Sequence, residues 1–347
     1  SFLSGKTSKL DRSAILKKLQ TGEIKLIVGT HALLEDDVRF NNLQFVLIDE
    51  QHRFGVMQRK KIHKKGSGAH LLVMSATPIP RTLALTFYGD MDISIIDSIP
   101  PGRQKIITQI ISPNNRNAAY QQIRENIHQG SQAFIVFPLV ATADEEMGET
   151  NAAVNEFHRL KTETFPNNSI GLLHGRLKEA EKERVMQEFR DGIFQILVTT
   201  TVIEVGVDVP NATIMMVEGA NRFGLSQLHQ LRGRVGRGKK QSYCILVPES
   251  KNVMDNERLK AMVRTTNGFE LAEIDLEQRG PGDFIGIRQS GFKEIRISNI
   301  MNVNTIEKAR LYAKRVLDKD PDLIQSNNQF FRIIMEEYQS KMAEVRT

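Results

Sequence analysis

The sequence predicts an α/β protein with two doubly wound parallel sheets and a mostly helical C-terminal appendage. Short, almost continuously apolar runs alternate with stretches at helical spacing, as expected where helices cover both faces of a parallel sheet. This alternation stops at the Pro- and Gly-containing stretch "DSIPPGRQ" and then restarts, so the same architecture occurs twice. We therefore expect domains at 1–98 and 105–250, a linker at 99–104 and an appendage at 251–347.

The first domain is predicted from three apolar runs and one helix. The runs cover 24–30, 45–49 and 71–77, and each ends in small or acidic residues. Residues 10–22 place apolar side chains near helical spacing, which indicates a helix between the strands. The carboxyl ends of such strands are where an open α/β sheet binds its ligands.

The second domain repeats this pattern. Helices are predicted over 151–165 and 177–192, the latter closed by Gly192. The predicted strands are 132–140, 169–175, 194–200, 212–219 and 242–248. In the appendage, residues 305–345 are expected to form two further helices, of which the second starts near Asp320.

Composition excludes several classes of protein. No apolar run approaches the roughly 20 residues that a membrane-spanning helix needs, so we expect no membrane partner. The single cysteine, Cys244, excludes an internal disulfide framework and suits a reducing cytosol, and we expect it to be buried as a small apolar residue. The formal net charge of +6 permits a nucleic-acid partner.

Polar side chains follow two strands of the first domain. Asp49 and Glu50 come at the end of one apolar run, where one carboxylate can bind Mg²⁺ while the other positions or activates water for γ-phosphoryl transfer. Taken alone, a pair of solvated strand-end acids is an equally good interpretation. Ser75 and Thr77 end the next run, where hydroxyls could connect a nucleotide site to its neighbours, although such residues commonly end strands and cap helices.

Two stretches of the second domain add further groups of this kind. The stretch "TTTVIEVGVDVP" places Gly206 and Asp208 after a strand, and residues 227–238 alternate glycines with arginines that include Arg234 and Arg237. Arginine binds phosphate in a fork and glycine lets the backbone approach closely, so this second stretch could supply arginine fingers to a γ-phosphate. The alternative is a solvated basic turn or a static nucleic-acid patch.

The first residues of the chain pose a separate question. Gly5, Lys6 and Thr7 match the end of a phosphate-binding P-loop, G-x-x-x-x-G-K-[ST], but its first glycine would precede Ser1. In a P-loop the Lys and Thr begin a helix, whereas the helix predicted here starts near Asp11. Local sequence therefore argues against a P-loop.

Together, these stretches resemble the motifs of superfamily 2 helicases, in the same order along the chain. "DEQH" is similar to motif II, "SAT" to motif III, "TTTVIEVGVDVP" to motif V and "QLRGRVGR" to motif VI. The longer stretches "DEQHRFGVMQR", "SATPIPRTLALTFYGDMDIS" and "GFELAEIDLEQRGPGDFIGIRQSG" resemble the RecG family of bacterial ATP-dependent DNA helicases. The resemblance covers essentially the whole chain and implies two RecA-like helicase domains, the first truncated at its N-terminal side, plus a helical appendage.

The resemblance also implies a role for each motif residue. The catalytic set is Asp49, Glu50, Gln51, His52, Arg234 and Arg237. The nucleotide-binding set is Ser75, Thr77, Gly206, Asp208 and Gln230. Within these sets Asp49 would bind Mg²⁺, Glu50 would orient or deprotonate the attacking water, and the two arginines would contact the γ-phosphate of ATP.

Nucleic-acid contacts follow from the same resemblance. "GTHAL" at 29–33 matches a motif that contacts the DNA backbone, and "SFLSGKT" takes the place of motif Ib, with the family's P-loop lying upstream. The implied DNA contacts are Gly5, Thr30, Thr200 and Arg279. The resemblance implies that Arg279 belongs to a translocation hairpin around Glu277–Gly280, for which a plain turn packing the appendage is the alternative.

The function implied is ATP-dependent 3′–5′ translocation that remodels branched DNA, such as stalled forks and Holliday junctions, in recombination and repair. The resemblance further implies ATP and Mg²⁺ as cofactors, single-stranded DNA-binding protein as a partner, and a monomer. Because the P-loop would lie upstream, we expect this chain alone not to hydrolyse ATP.

Two other functions stay open at this point. One is a basic clamp that holds DNA without turnover, and the other is an Mfd-like translocase that acts on RNA polymerase. Gln51, Gln58, Arg59 and the stretch "RQSG" favour RecG over Mfd. Substitution of Glu50 separates a motor from a clamp, because only a motor depends on turnover.

Overall fold

A computed structural model of the chain describes residues 1–50, 65–66, 68–76, 78, 92–96, 98, 102–138, 148–200, 208–279 and 303–344. The helices and strands below are numbered over these residues. They fall into two compact units, Ser1–Thr77 and Pro78–Thr347. The domain boundaries expected from the sequence stay predictions.

The first unit contains short parallel strands in two pairs. Strand β1 (Phe2–Leu3) pairs with β2 (Val28–Gly29), and β3 (Phe45–Ile48) pairs with β4 (His70–Val73). The predicted run at 24–30 therefore pairs over its last residues only. The parallel arrangement agrees with the near-continuous apolar runs that predicted it.

Helix α1 (Lys9–Thr21) joins β1 to β2. Its cap is Ser8, whose hydroxyl accepts a hydrogen bond from the backbone N–H of Asp11, so the helix begins two residues before the predicted start. It ends at Gly22, whose positive φ of 77° is the left-handed conformation that favours glycine. Beneath it lies a small core of Leu3, Leu19, Ala32 and Val38.

The second unit is built on a six-stranded parallel sheet with the order β5-β10-β9-β6-β8-β7. The strands are β5 (Ile107–Ile110), β6 (Gln132–Val136), β7 (Ile170–Leu173), β8 (Ile196–Thr199), β9 (Ala212–Glu218) and β10 (Tyr243–Val247). Five of these are the predicted runs. Strand β5 was not predicted, because an edge strand of mixed polarity lacks the continuous apolar pattern.

The described helices of this unit lie between the strands and after them. They are α2 (Arg116–His128), α3 (Gly148–Arg159), α4 (Glu179–Arg190), α5 (Leu225–Arg232), α6 (Glu257–Arg264), α7 (Gly268–Arg279), α8 (Val303–Lys319) and α9 (Gln329–Glu344). None of them is long and apolar enough to cross a membrane. The last helix begins later than predicted, because Asp320 accepts backbone N–H groups of Ile324 and Gln325 and holds a loop there.

Helices cover both faces of this sheet, as the sequence predicts. Successive residues of β9 enter opposite cores: Met215 and Val217 pack with α4 and α5, whereas Ile214 and Met216 pack with α2. Because successive side chains of a strand point to opposite faces of the sheet, β9 contributes residues to two separate cores. Cys244 is buried in the first of these, and burial raises the pKa of its thiol to about 12, as expected of an inert core residue.

Candidate active site

The predicted acid pair lies at the carboxyl ends of β3 and β4. The two strands are in register at Ile48 and Val73, and the Met74 N–H donates to the Ile48 carbonyl at 2.8 Å. Asp49 and Ser75 therefore follow neighbouring strand ends. Parallel pairing of β3 with β4 brings motif II next to motif III, although Glu50 and Ala76 are 26 residues apart in the sequence.

Glu50 is held in place from both sides. Its side-chain Oε2 accepts the N–H of Ala76 at 3.4 Å, and its own N–H donates to Asp49 Oδ1 at 2.9 Å. Its φ is 52°, a left-handed value that is unusual outside glycine and costs energy in an acidic residue. The backbone thus bends sharply after β3. As a result the Asp49 carboxylate is exposed, whereas the Glu50 carboxylate contacts motif III.

These two acids fit a magnesium ion that is shared with a nucleotide. Mg²⁺ in such sites is held by one or two carboxylates together with phosphate oxygens and water, rather than by a cage of protein ligands. Asp49 is exposed at the strand end, as that role requires. Across the described ranges there is no group of three or more His, Cys, Asp or Glu side chains arranged to hold a metal.

Some predicted residues cannot be placed. Gln51, His52, Thr77 and Gly206 lie outside the described residues. Ala76, whose backbone amide contacts Glu50, was not among the predicted residues. A main-chain N–H group is present in almost every residue, so the sequence does not indicate which one forms such a contact.

The Gly5–Thr7 stretch forms a turn that differs from a P-loop. The Thr7 hydroxyl accepts the N–H of Ser4 at 3.0 Å, and Ser8 caps the helix, so Lys6 and Thr7 precede it rather than open it. The stretch follows β1. The neighbouring strand β2 is followed by Thr30, whose N–H donates to the Leu3 carbonyl at 3.1 Å. Both Gly5 and Thr30 are exposed at this edge.

The first arginine of "RGRVGR" is a structural residue. Arg232 is only 2% exposed, and its Nη1 donates to the carbonyls of Met262 and Thr265 at 2.9 Å each. These carbonyls belong to the C-terminal end of α6, whose last carbonyl groups need partners. Arg232 therefore stabilises the packing of α6 against α5.

The same guanidinium fixes the state of His229. Arg232 Nη2 lies 3.0 Å from His229 Nδ1, which must accept this hydrogen bond because arginine has no acceptor. Burial, with the charge of Arg232 as a second cause, lowers the pKa of His229 to about 4. The imidazole is neutral at pH 7, with its proton on Nε2.

The other two arginines lie in the loop that follows. Val235 is buried in the core between them, which leaves Arg234 and Arg237 partly exposed. Arg237 Nη1 lies 3.5 Å from Asp208 Oδ1. A Cβ on Gly238 would lie 2.6 Å from the Pro210 carbonyl oxygen, so only glycine allows this approach of motif VI to motif V. Gln230, half-buried on α5, is at the start of this stretch.

The remaining two predicted contacts are less accessible or only partly described. Thr200 is 1% exposed, its N–H donates to the Leu173 carbonyl, and its hydroxyl is buried without a hydrogen-bond partner in the described part of the chain. Arg279 is the last residue of α7, so Glu277–Arg279 are helical; its side chain and Gly280 lie outside the described residues. The DNA contacts of Thr200 and Arg279 stay predictions.

The chain matches three known families in succession. Residues 1–86 match the DEAD/DEAH box helicases, residues 115–239 the helicase conserved C-terminal domain, and residues 265–344 the C-terminal part of domain 3 of the ATP-dependent DNA helicase RecG. The first two matches contain the strand ends and the arginine loop described above.

Curated relatives extend the match along the chain. The ATP-dependent DNA helicase RecG of Synechocystis sp. is 51% identical over 93% of this chain and 39% of its own length. The protein of the same name from Aquifex aeolicus is 46% identical over 98% of this chain and 44% of its own length. The chain thus spans less than half the length of the relatives it matches.

Solved structures agree with the sequence comparison. A structure of RecG bound to a three-way DNA junction superposes with a TM-score of 0.69 at 42% identity, over 90% of this chain and 39% of the other. The helicase MrfA bound to DNA, at 19% identity and a TM-score of 0.54, shares the fold alone. The chain belongs to the RecG family of helicases.

Proposed function

We propose that this chain is the motor part of an ATP-dependent DNA helicase that remodels branched DNA. The observation that carries the proposal is the 42% identity, over 90% of the chain, to a RecG protein whose structure holds a three-way DNA junction. The physical support is the position of Asp49 and Glu50 directly after the parallel strand β3, where Glu50 contacts motif III. An Mfd-like translocase is less well supported, since residues 265–344 match RecG domain 3.

The catalytic roles follow from the chemistry of these side chains. Asp49 would hold the magnesium ion of Mg·ATP, and Glu50 would orient the attacking water. Gln51 and His52 would couple this acid pair to motif III and to the second domain. Arg234 supplies charge to the γ-phosphate. Mg²⁺ neutralises charge on the transferring phosphoryl group when it is bound.

The nucleotide and the second arginine are held by neighbouring groups. Arg237 contacts the γ-phosphate and is oriented by Asp208 until the nucleotide arrives. Gly206 and Asp208 would contact the nucleotide on its ribose side, and Gln230 would act together with the two arginines. The hydroxyl groups of Ser75 and Thr77 would connect the nucleotide site to its neighbours. Arginine suits this position because its planar fork binds two phosphate oxygens at once.

The nucleic acid is proposed to lie along the exposed strand ends. Gly5 and Thr30 donate from backbone and hydroxyl groups to phosphates, with Arg279 transmitting movement, and such contacts carry no sequence information. Binding therefore depends on branch shape and weakens with salt. Polarity 3′–5′, a monomeric state and single-stranded DNA-binding protein as a partner belong to the same proposal.

The test is Mg²⁺-dependent ATP hydrolysis with and without forked DNA. We expect no turnover by this chain alone. In a version extended to the length of its relatives we expect DNA-stimulated turnover and fork unwinding, both lost on Glu50→Gln, with DNA binding retained. Fork binding without any turnover in the extended protein would mean a clamp instead of a motor. Turnover by this chain that Glu50→Gln abolishes would make Gly5–Thr7 a working phosphate site.

A further inference from the structure

Strand β5 forms one edge of the six-stranded sheet. The N–H groups of Ile107 and Ile111 donate to carbonyl groups on the side of β10. Because the backbone groups of successive residues in a strand point to opposite sides, those of Thr108 and Ile110 point away from β10. Among the residues that the structure describes, no strand pairs with this outer side of β5.

The features that usually protect an edge strand are missing from β5. Native edges are commonly protected by charged side chains, proline or a bulge. Residues 107–110 contain no charge and no proline, and β5 pairs with β10 in unbroken register. The Ile107 side chain is 47% exposed. Such an edge offers its free N–H and C=O groups to the backbone of another strand.

A polar groove of about 720 Å³ lies between α2 and the start of β10. Its volume is within the range of roughly 300–1,000 Å³ that is typical of ligand sites. Five of the side chains that line it are Gln or Asn amides, which can both donate to and accept from a peptide backbone. From Ala118 to Gln129 the α2 side of the groove is about 16 Å long, the length of about five extended residues.

The groove and the open edge are neighbours. Ile107 is the register partner of Tyr243, which lines the groove, so the two side chains share one face of the sheet. Gln109 Nε2 donates to Gln122 Oε1 at 2.6 Å, which joins β5 to the groove side of α2. A strand added to β5 alternates its side chains between the two faces of the sheet, so every second one lies on the side of the groove.

Positive charge surrounds the amino end of β5. The exposed cations at this place are Arg103, Lys105, Lys239 and Lys240. Gln104 Nε2 donates to the Lys239 carbonyl at 3.0 Å, so the two basic stretches are in contact. Gln241 Nε2 donates to the Lys105 carbonyl at 2.8 Å and joins them a second time. The groove lining adds one acid, Glu125, so the excess of positive charge favours an acidic partner.

We propose that the open edge of β5 and the groove beside α2 form a docking site for an extended peptide segment of a partner protein. The segment adds a strand to β5 through the backbone groups of Thr108 and Ile110. Its central residues are uncharged, and an acidic residue lies at the end beside Lys105. This site goes beyond the proposed function, because the groove is at the amino ends of the strands, whereas the acid pair follows the carboxyl end of β3.

The test is selection of binding peptides from a displayed library of random eight-residue sequences, with the unsubstituted chain immobilised. Fluorescence anisotropy then measures the affinity of each selected peptide. We expect the selected sequences to be rich in β-branched residues and to have an acidic residue near one end. Their binding should weaken as the salt concentration rises.

Two variants locate the bound peptide. Ile110→Pro removes the outward N–H, and proline is tolerated in an edge strand where this group faces solvent. We expect about tenfold weaker binding, the loss of roughly one hydrogen bond, whereas Ile110→Val keeps the N–H and should retain most of the affinity. Ala118→Trp fills the groove from the surface of α2 and should weaken binding by a similar factor. Its control is Asn117→Trp, at an exposed neighbouring position that does not line the groove.

Each outcome decides the proposal. Weaker binding by both Ile110→Pro and Ala118→Trp, with Asn117→Trp unchanged, supports it. Selected peptides that bind all variants equally, or a library from which no sequence is enriched, would overturn it. If Ile110→Pro does not fold, as judged by circular dichroism, Ala118→Trp decides alone, because Ala118 is exposed on α2.

A second copy of the chain is the other possible occupant of this edge. Self-association of the unsubstituted chain in sedimentation, lost in Ile110→Pro, would show that β5 pairs with β5 of another copy, and the assignment to a peptide would be wrong. Failure of the docking site leaves the proposed function unchanged, because the site contains neither the acid pair nor the arginine loop.

Discussion

The pair of His229 and Arg232 predicts how the stability of the second unit depends on pH. The pKa of His229 is lowered from 6.5 to about 4, so the folded chain binds its proton less readily than the unfolded chain does. Stability is therefore highest above pH 6.5 and falls as the pH drops from 6.5 towards 4, where the unfolded state is protonated and the folded state is not.

The magnitude follows from those two pKa values. At pH 5 the unfolded imidazole is almost fully charged, and the free energy of unfolding should be about 2 kcal/mol lower than at pH 7.5 on account of this residue. By pH 4 the loss approaches about 3 kcal/mol, because each pKa unit corresponds to about 1.4 kcal/mol. The cause is the cost of placing an imidazolium in a mostly buried position beside the Arg232 guanidinium.

Urea unfolding at pH 7.5, 6.0 and 5.0 measures this directly, with His229→Gln as the matched variant. Gln keeps an acceptor for Arg232 but does not titrate, so it should be less stable than the unsubstituted chain at pH 7.5 yet lose about 2 kcal/mol less on acidification to pH 5. Other titrating groups contribute equally to both proteins and cancel in the difference. Parallel pH profiles for the two proteins would refute the reasoning.

Two further predictions concern packing and charge. Gly29→Ala should lower the free energy of unfolding of the first unit by about 2 kcal/mol, because its Cβ would lie 2.2 Å from the Leu3 carbonyl oxygen, whereas Gly5→Ala, with open space around it, should change it by less than about 0.5 kcal/mol. Arg116→Ala should lower the free energy of unfolding of the second unit by about 3 kcal/mol, because the buried Glu218 carboxylate would lose its ion-pair partner. In the unsubstituted chain Glu218 Oε1 lies 2.7 Å from Arg116 Nε. Urea unfolding measures both, and equal stability of the two glycine variants, or of Arg116→Ala and the unsubstituted chain, would contradict them.

The sequence by itself determined the sheet architecture and the position of the acid pair. Buried parallel strands must be apolar along their whole length, so the strands that form β6 and β9 were visible as runs, and the residues at their carboxyl ends were visible as site candidates. In the same way, the run that forms β3 made Asp49 and Glu50, which directly follow it, visible as candidates. Strand β5 was missed because it lies at an edge of the sheet, where a strand can be of mixed polarity, and its sequence contains the polar residues Thr108 and Gln109.

Only the tertiary structure decided what each polar residue does. Arg232 and Arg234 are alike in the sequence, but packing of α6 onto α5 buries the first against carbonyl groups and leaves the second partly exposed. Contacts such as Ala76 N–H to Glu50, or Arg237 to Asp208, join residues that are 26 and 29 positions apart. The pattern of apolar and polar residues in the sequence predicts which residues are buried or helical. Hydrogen-bond partners, in contrast, depend on which strand ends are neighbours, and the order of the strands is fixed only when the whole sheet has formed.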